Sequence, residues 1–323
     1  MQQLFENVFL LEGEVGGRPL QLAYLQGSDA TLLLDTGCAG DPEGFISRQI
    51  LEAGGNPAAL RWIVNSHTDL DHVGGNYAMK QIAPQAVLAC GDADREACAD
   101  PEVLFKARYD AYRQNHGIYY EREGREWIIR QSGHRIPVDV TFTHGEHLRL
   151  SDEWYVEIVA LPGHAKGHIG LLDRKNNALY GGDAIHGAVY LGLDGTPKLP
   201  PTYLHVDDYL HTIDFIDHLP IETYVGCHWP VKRGVEIAAF CTESRDFVHR
   251  ADALMREALT HDWLTLREVC LEIAPQLGNW EHTPAVDLEL VFALNGHLEN
   301  LIREGRLDAR PRGDIQEYTL VMA

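Results

Sequence analysis

Four side chains able to bind a cation, His67, Asp69, Asp71 and His72, fall within six positions directly after the run Arg61-Trp62-Ile63-Val64. That run reads as a short buried strand, and Val73-Gly74-Gly75 leads into the helical pattern of Tyr77-Ala78-Met79-Lys80-Gln81-Ile82. The motif therefore sits on a strand-to-helix loop, where α/β sheets carry their chemistry. In the extended start of the loop, residues two apart point the same way, so His67 and Asp69 can share one cation. Asp71 and His72 come as the chain turns into the helix, which sends them to a neighbouring position able to hold a second cation. Gly74 and Gly75 remove side-chain bulk and allow a tight bend. The plain structural alternative is an acidic helix cap beside two incidental histidines.

Three later segments repeat one pattern. Val159-Ala160-Leu161-Pro162-Gly163-His164, Ala178-Leu179-Tyr180-Gly181-Gly182-Asp183 and Tyr224-Val225-Gly226-Cys227-His228-Trp229-Pro230 each place an apolar strand before a small residue or turn and then a ligand. Strands that deliver ligands to a single sheet edge read this way.

Together with Leu32-Leu33-Leu34-Asp35-Thr36-Gly37, these segments resemble the five ordered motifs of the metallo-β-lactamase superfamily, over about residues 5 to 232. The resemblance implies an α/β fold, a four-layer αββα sandwich. It implies a first metal held by His67, Asp69 and His164 and a second held by Asp71, His72 and His228. Asp183 would bridge both, and Asp35 would support the loop without ligating. The chemistry implied is that of a dinuclear metallohydrolase, in which hydroxide between two divalent cations attacks an ester, thioester or lactone. Asp71 and Asp183 would be the catalytic residues, with Asp71 or a metal-bound water passing a proton to the leaving group. An aspartate at position 183 is similar to the thioesterase, lactonase, phosphodiesterase and dioxygenase branches, and the whole pattern to the glyoxalase II-like branch.

The chain departs from the usual His-x-His-x-Asp-His loop in one place, where Asp69 stands for the second histidine. Formally the filled site then falls by one unit of charge, to neutrality, which makes a weaker Lewis acid. Zinc is the default cation, and the extra carboxylate opens the site to iron or manganese. Three other functions share the scaffold: an iron-dependent oxidoreductase of the persulfide dioxygenase or flavodiiron type, a phosphodiesterase or nuclease, and a non-catalytic metal-binding sensor.

A formal charge of −21 and a pI near 5.1 oppose a nucleic-acid partner, because such binding draws on clustered Lys and Arg. A small-molecule substrate is expected instead. No basic N-terminal segment and no apolar stretch near the roughly 18 residues of a membrane span appear, so a cytoplasmic protein without a membrane partner is expected. The six cysteines form no close pair and read as buried thiols, with Cys227 as an oxidation-sensitive neighbour of the metals in the alternative.

Two stretches change texture. Within residues 1–232, a helical insertion at about 91–134 interleaves Leu104, Tyr109, Tyr112, Tyr119, Tyr120 and Trp127 with charges. It reads equally as a lid or homodimer contact and as a solvated insertion packed on the sheet. Residues 233–323 read as helices followed by a hairpin, resembling the winged-helix modules appended to some members of the superfamily. Acids outnumber bases about two to one from 262 onward, so packing or dimerisation is expected there. Of the remaining candidates, His168 is expected to support its loop through a hydrogen bond. His186 and Tyr190 read as ordinary structural residues, with a cavity-facing substrate contact as the alternative for each. Lys166 and Lys198 read as solvated lysines, with contact to an anionic substrate group as the alternative.

Overall fold

The computed structural model describes residues 1–321; Met322 and Ala323, the end of the expected C-terminal unit, lie outside the described residues. The first sheet holds seven strands in chain order: β1 (Gln2–Phe5), β2 (Val8–Val15), β3 (Arg18–Gln26), β4 (Thr31–Leu34), β5 (Trp62–Val64), β6 (Val87–Gly91) and β7 (Val140–Phe142). The first four pair antiparallel, as short hairpin connections allow. From β4 onward the pairing is parallel, and the crossovers carry helices: α1 (Ser47–Glu52), α2 (Leu70–Val73) and α3 (Asn76–Ile82).

Between β6 and β7 runs a chain of short helices, α4 (Arg95–Ala99), α5 (Pro101–Leu104), a π-helical turn at Phe105–Tyr109, α6 (Arg113–His116) and α7 (Arg122–Gln131). The second sheet contains β8 (His147–Ser151), β9 (Trp154–Ala160), β10 (Ile169–Asp173) and β11 (Ala178–Gly182). A two-stranded ribbon, β12 (Tyr190–Leu191) with β13 (Pro197–Leu199), and the helix α8 (Val206–His218) then lead to β14 (Thr223–Gly226) and β15 (Lys232–Arg233). The order across this sheet is β15-β14-β11-β10-β9-β8.

Burial of both strand faces explains the continuous apolar runs. In β2, Val8 and Leu10 face the second sheet and meet Val156, Ile158 and Leu171 in one cluster. Phe9 and Leu11 alternate to the outer face and meet Ile46, Ile50 and Met79. On the far side, Leu179 and Tyr224 pack against the Tyr209, Ile213 and Ile216 stripe of α8. Helix, sheet, sheet and helix therefore stack as the αββα sandwich. Since β9, β11 and β14 run in the same direction, their C-terminal ends lie at one edge.

The chain continues into α9 (Val235–His261), β16 (Leu264–Thr265), α10 (Leu266–Leu277), α11 (Pro284–Asp287), α12 (Val291–Arg303), β17 (Leu307–Arg312) and β18 (Ile315–Leu320). These strands form a separate sheet in the order β16-β18-β17. Thr265 and Glu268 cap α10 reciprocally, satisfying backbone donors at its start. Ile237, Phe240 and Leu294 share the apolar cluster that holds Leu179 and Tyr224, so the C-terminal residues grow from the outer face of the second sheet.

Gly74 and Gly75 serve space and not curvature. Their φ values are −59° and −80°, ordinary right-handed backbone. A Cβ on Gly75 would stand 2.1 Å from the Thr36 carbonyl oxygen, and one on Gly74 2.1 Å from that of Gln131. The tight bend read from the sequence is corrected to close approach of neighbouring backbone. Gly75→Ala is expected to lower stability by about 1–3 kcal/mol through overpacking, measured by urea denaturation; an unchanged midpoint and slope would count against that contact.

Candidate metal centre

The loop after β5 is held from behind by Asp35. This residue follows β4 and adopts a left-handed backbone, φ 66°, uncommon for a non-glycine residue and characteristic of sites where geometry is over-determined. Its carboxylate receives the Ser66 backbone N–H and hydroxyl, both at 2.7 Å, and His72 Nδ1 at 2.9 Å. Asp35 acts as acceptor, so His72 carries its proton on Nδ1 and turns Nε2 into the cavity. His228 is set the same way: Nδ1 donates to the Pro19 carbonyl at 2.7 Å, leaving Nε2 free.

The strand ends then bring all seven predicted residues together. His67, Asp69 and His164 form one group and Asp71, His72 and His228 another, with ligand atoms inside each within 4.8 Å of one another. Asp183, just past β11, groups with His67 of the first set and His72 of the second. His228 Nε2 lies 3.3 Å from Asp71 Oδ2 and 3.3 Å from Asp183 Oδ2. His67 Nε2, His72 Nε2, Asp71 Oδ2 and Asp183 Oδ1 are buried without a hydrogen-bond partner. Such orphaned atoms are costly. Cations held by the two groups would satisfy these atoms, so the donor set fits metal binding.

The electrostatics point the same way. Burial pushes the Asp183 carboxyl up, but His228 and His72 outweigh it and hold it well below the usual carboxylate range. Burial lowers His228, yet Asp183 and Asp71 raise it to about 9. The carboxylates thus demand positive charge. At Asp69, burial opposes the charged form, while Arg108 and His164 bring the carboxyl well below its ordinary value. Arg108 comes from the π-helical turn of the insertion, a form that recurs at functional sites. Its Nε stands 2.8 Å from Asp69 Oδ1. Arg108 thus sets a positive charge directly beside the Asp69 carboxylate.

Other expectations divide. Tyr190 faces the cavity and donates its hydroxyl to Asp183 Oδ2 at 3.2 Å. His168 makes no hydrogen bond from either ring nitrogen; it stacks on His67 at 4.9 Å between ring centroids, so its expected support is by packing. His186 has Nδ1 3.0 Å from the Tyr209 hydroxyl, while its buried Nε2 has no partner, and it groups with His164 and Asp183 as a further potential ligand. Cys227 lies behind the site, 3.9 Å from His72 Nδ1, with burial pushing its thiol up to about 12. Lys166 and Lys198 are exposed. Sequence reasoning missed Arg108 and Tyr209, neither of which belongs to a motif.

A cleft of about 270 Å³ opens over the cluster. Asp71, Asp183 and His228 line its floor, and Tyr109, Tyr120, Trp127 and Phe292 its walls. The insertion is anchored to the metal loop directly, since Leu70 N–H donates to the Tyr109 hydroxyl at 3.0 Å.

An αββα sandwich with imidazoles and carboxylates gathered at one sheet edge defines the class of metallo-β-lactamase folds. The chain belongs to the metallo-β-lactamase superfamily, whose family model matches residues 16–228. It is 24% identical over 188 residues to a hydroxyacylglutathione hydrolase of Thermosynechococcus vestitus, covering 58% of this chain and 54% of that protein. The chain thus spans about half the length of that relative. It is 23% identical over 227 residues to an acyl-coenzyme A thioesterase of Bos taurus, covering 66% of this chain and 74% of the relative. A metallo-beta-lactamase family protein from Thermus thermophilus superposes with a TM-score of 0.75 at 20% identity, covering 99% of this chain and 100% of that one. A beta-lactamase domain protein from Burkholderia ambifaria gives 0.74 at 15% identity, covering 99% and 93%. At these identities the two structures speak for the fold alone.

Asparagine tolerates the left-handed backbone at position 35 but loses the anionic acceptor behind His72. Asp35→Asn is expected to weaken divalent-cation binding roughly 10- to 100-fold, read by competition with a chromophoric chelator. Wild-type affinity would show that Asp35 only supports the fold.

Proposed function

We propose that the chain is a dinuclear metallohydrolase acting on an ester, thioester or lactone. His67, Asp69 and His164 would hold one divalent cation, Asp71, His72 and His228 the other, and Asp183 would bridge them, with zinc as default. The single observation that carries this reading is the set of four orphaned, buried ligand atoms, two of them on Asp71 and Asp183, which line a largely aromatic cleft. A bound pair of divalent cations supplies a water-derived nucleophile at neutral pH and polarises the substrate carbonyl. The residues do the rest. Tyr190 steadies Asp183 through its hydroxyl, and Asp71, beside His228, is placed to pass a proton to the departing group. Tyr109, Tyr120, Trp127 and Phe292 exclude water and receive the apolar part of the substrate.

Thioesters are the preferred class. Both named relatives act on thioesters by their names, and the aromatic walls suit an acyl group. A phosphodiester polymer is disfavoured, since the net charge of −21 leaves no excess of Lys and Arg to follow a phosphate backbone. Residues 233–323 are proposed as a winged-helix-like unit appended to residues 1–232, serving packing and not nucleic acid. Among the described residues no helix is long and apolar enough to cross a membrane. The six cysteines are free and buried, which fits a reducing cytoplasm.

The test combines elemental analysis of purified protein with a screen over acyl thioesters, lactones and phosphodiesters. Bound transition metal and hydrolysis of a thioester are expected. Asp183→Asn should then lose at least roughly a hundredfold in kcat, if it holds both cations in register. Wild-type turnover in a folded Asp183→Asn protein would remove Asp183 from the mechanism, and turnover of phosphodiesters alone would replace the substrate class.

A further inference from the structure

Asp69 stands where the family's usual loop has histidine, and its carboxylate is not alone. Arg108 pairs with this carboxylate: Nη2 donates to Oδ2 at 2.9 Å, and Nε stands 2.8 Å from Oδ1 as an ion-pair contact without hydrogen-bond alignment. The guanidinium is itself buried, 6% exposed. Two further groups fix it. Nη2 donates to the Thr202 carbonyl at 3.4 Å, and the cation lies over the Phe292 ring, 4.4 Å from its centroid. Nη2 also comes within 3.5 Å of His164 Nε2, on the edge of the first ligand group. A buried arginine so placed is expensive unless its partner is permanently ionised.

We propose that Arg108 is the positioning residue that lets an aspartate replace a histidine in the first cation site. The Asp69–Arg108 pair acts as one formally neutral ligand, offering an oxygen where an imidazole would offer nitrogen. The guanidinium returns the positive charge that the carboxylate removes. The Nη2 hydrogen bond also holds Asp69 Oδ2 toward the other two residues of this group, 3.8 Å from His67 Nε2 and 3.1 Å from His164 Nε2. A carboxylate tied in this way offers one oxygen and little excess charge, so the site stays close to zinc in preference. A lone carboxylate would draw it toward manganese.

This role presupposes the metal centre proposed above, and the test separates the two. Full-length wild type, Asp69→His, Arg108→Met and the double variant are stripped of metal, reloaded with zinc, and measured for cations per chain and for zinc-against-manganese competition. Wild type should take up two cations. Asp69→His restores the family's usual residue, yet it strands a buried guanidinium beside a dication, so it should weaken the first-site cation by at least roughly tenfold. Adding Arg108→Met should recover the affinity to within about threefold of wild type. Arg108→Met alone should raise the manganese-to-zinc occupancy ratio by about tenfold. This measurement stands by itself if thermal melts show that Asp69→His does not fold.

Wild-type binding by folded Asp69→His, a double variant no better than Asp69→His, or an unchanged metal preference in Arg108→Met would each overturn the role while leaving the metal centre intact. One cation in wild type, joined by a second only in Arg108→Met, would overturn it in favour of a guanidinium that takes a cation's place. No cation in any form would remove the metal centre and the role together.

Discussion

Crowding of like charge at one sheet edge is the constraint on which the rest of this structure depends. Asp35, Asp71 and Asp183 are buried within one cluster, with Asp69 beside them at only partial exposure. Carboxylates withdrawn from water at such proximity are tolerable only with compensating positive charge and directed hydrogen bonds. The fold supplies both. Strands β9, β11 and β14 share a direction and so converge their trailing loops, the Asp35 clamp fixes how His72 faces, and Arg108 is brought across from the insertion. Each device answers the same electrostatic demand.

Much of this was legible in the chain itself. Apolar strands that end in His164, Asp183 and His228 mark these side chains as candidates for one cluster, and the structure gathers them there. The strand-to-helix loop was equally plain, because period-two and period-3.6 patterns meet there without overlap. The helical character of 92–131 and the strand pair at the C-terminus also follow from local pattern.

The remainder was hidden for physical reasons. Arg108 lies 39 positions from Asp69, among the charged residues Lys106, Asp110 and Arg113, so nothing local distinguishes it from its neighbours. His168 stands four residues from a ligand, and its stacking on His67 is a tertiary contact that no spacing encodes. Gly74 and Gly75 looked like a bend because glycine is best known for its freedom of φ. What they provide is clearance for carbonyls contributed by distant segments, visible only once the neighbours are in place.

Phe292, in the first turn of α12, covers the guanidinium that steadies the metal loop. The edge that carries the His and Asp cluster is therefore a joint product of both ends of the polypeptide. A shortened version stopping near residue 232 would retain every proposed ligand, yet would expose Arg108 to solvent and let its pairing with Asp69 relax. Engineers who treat the terminal helices as a detachable handle would inherit a correctly spelled motif with a slackened grip.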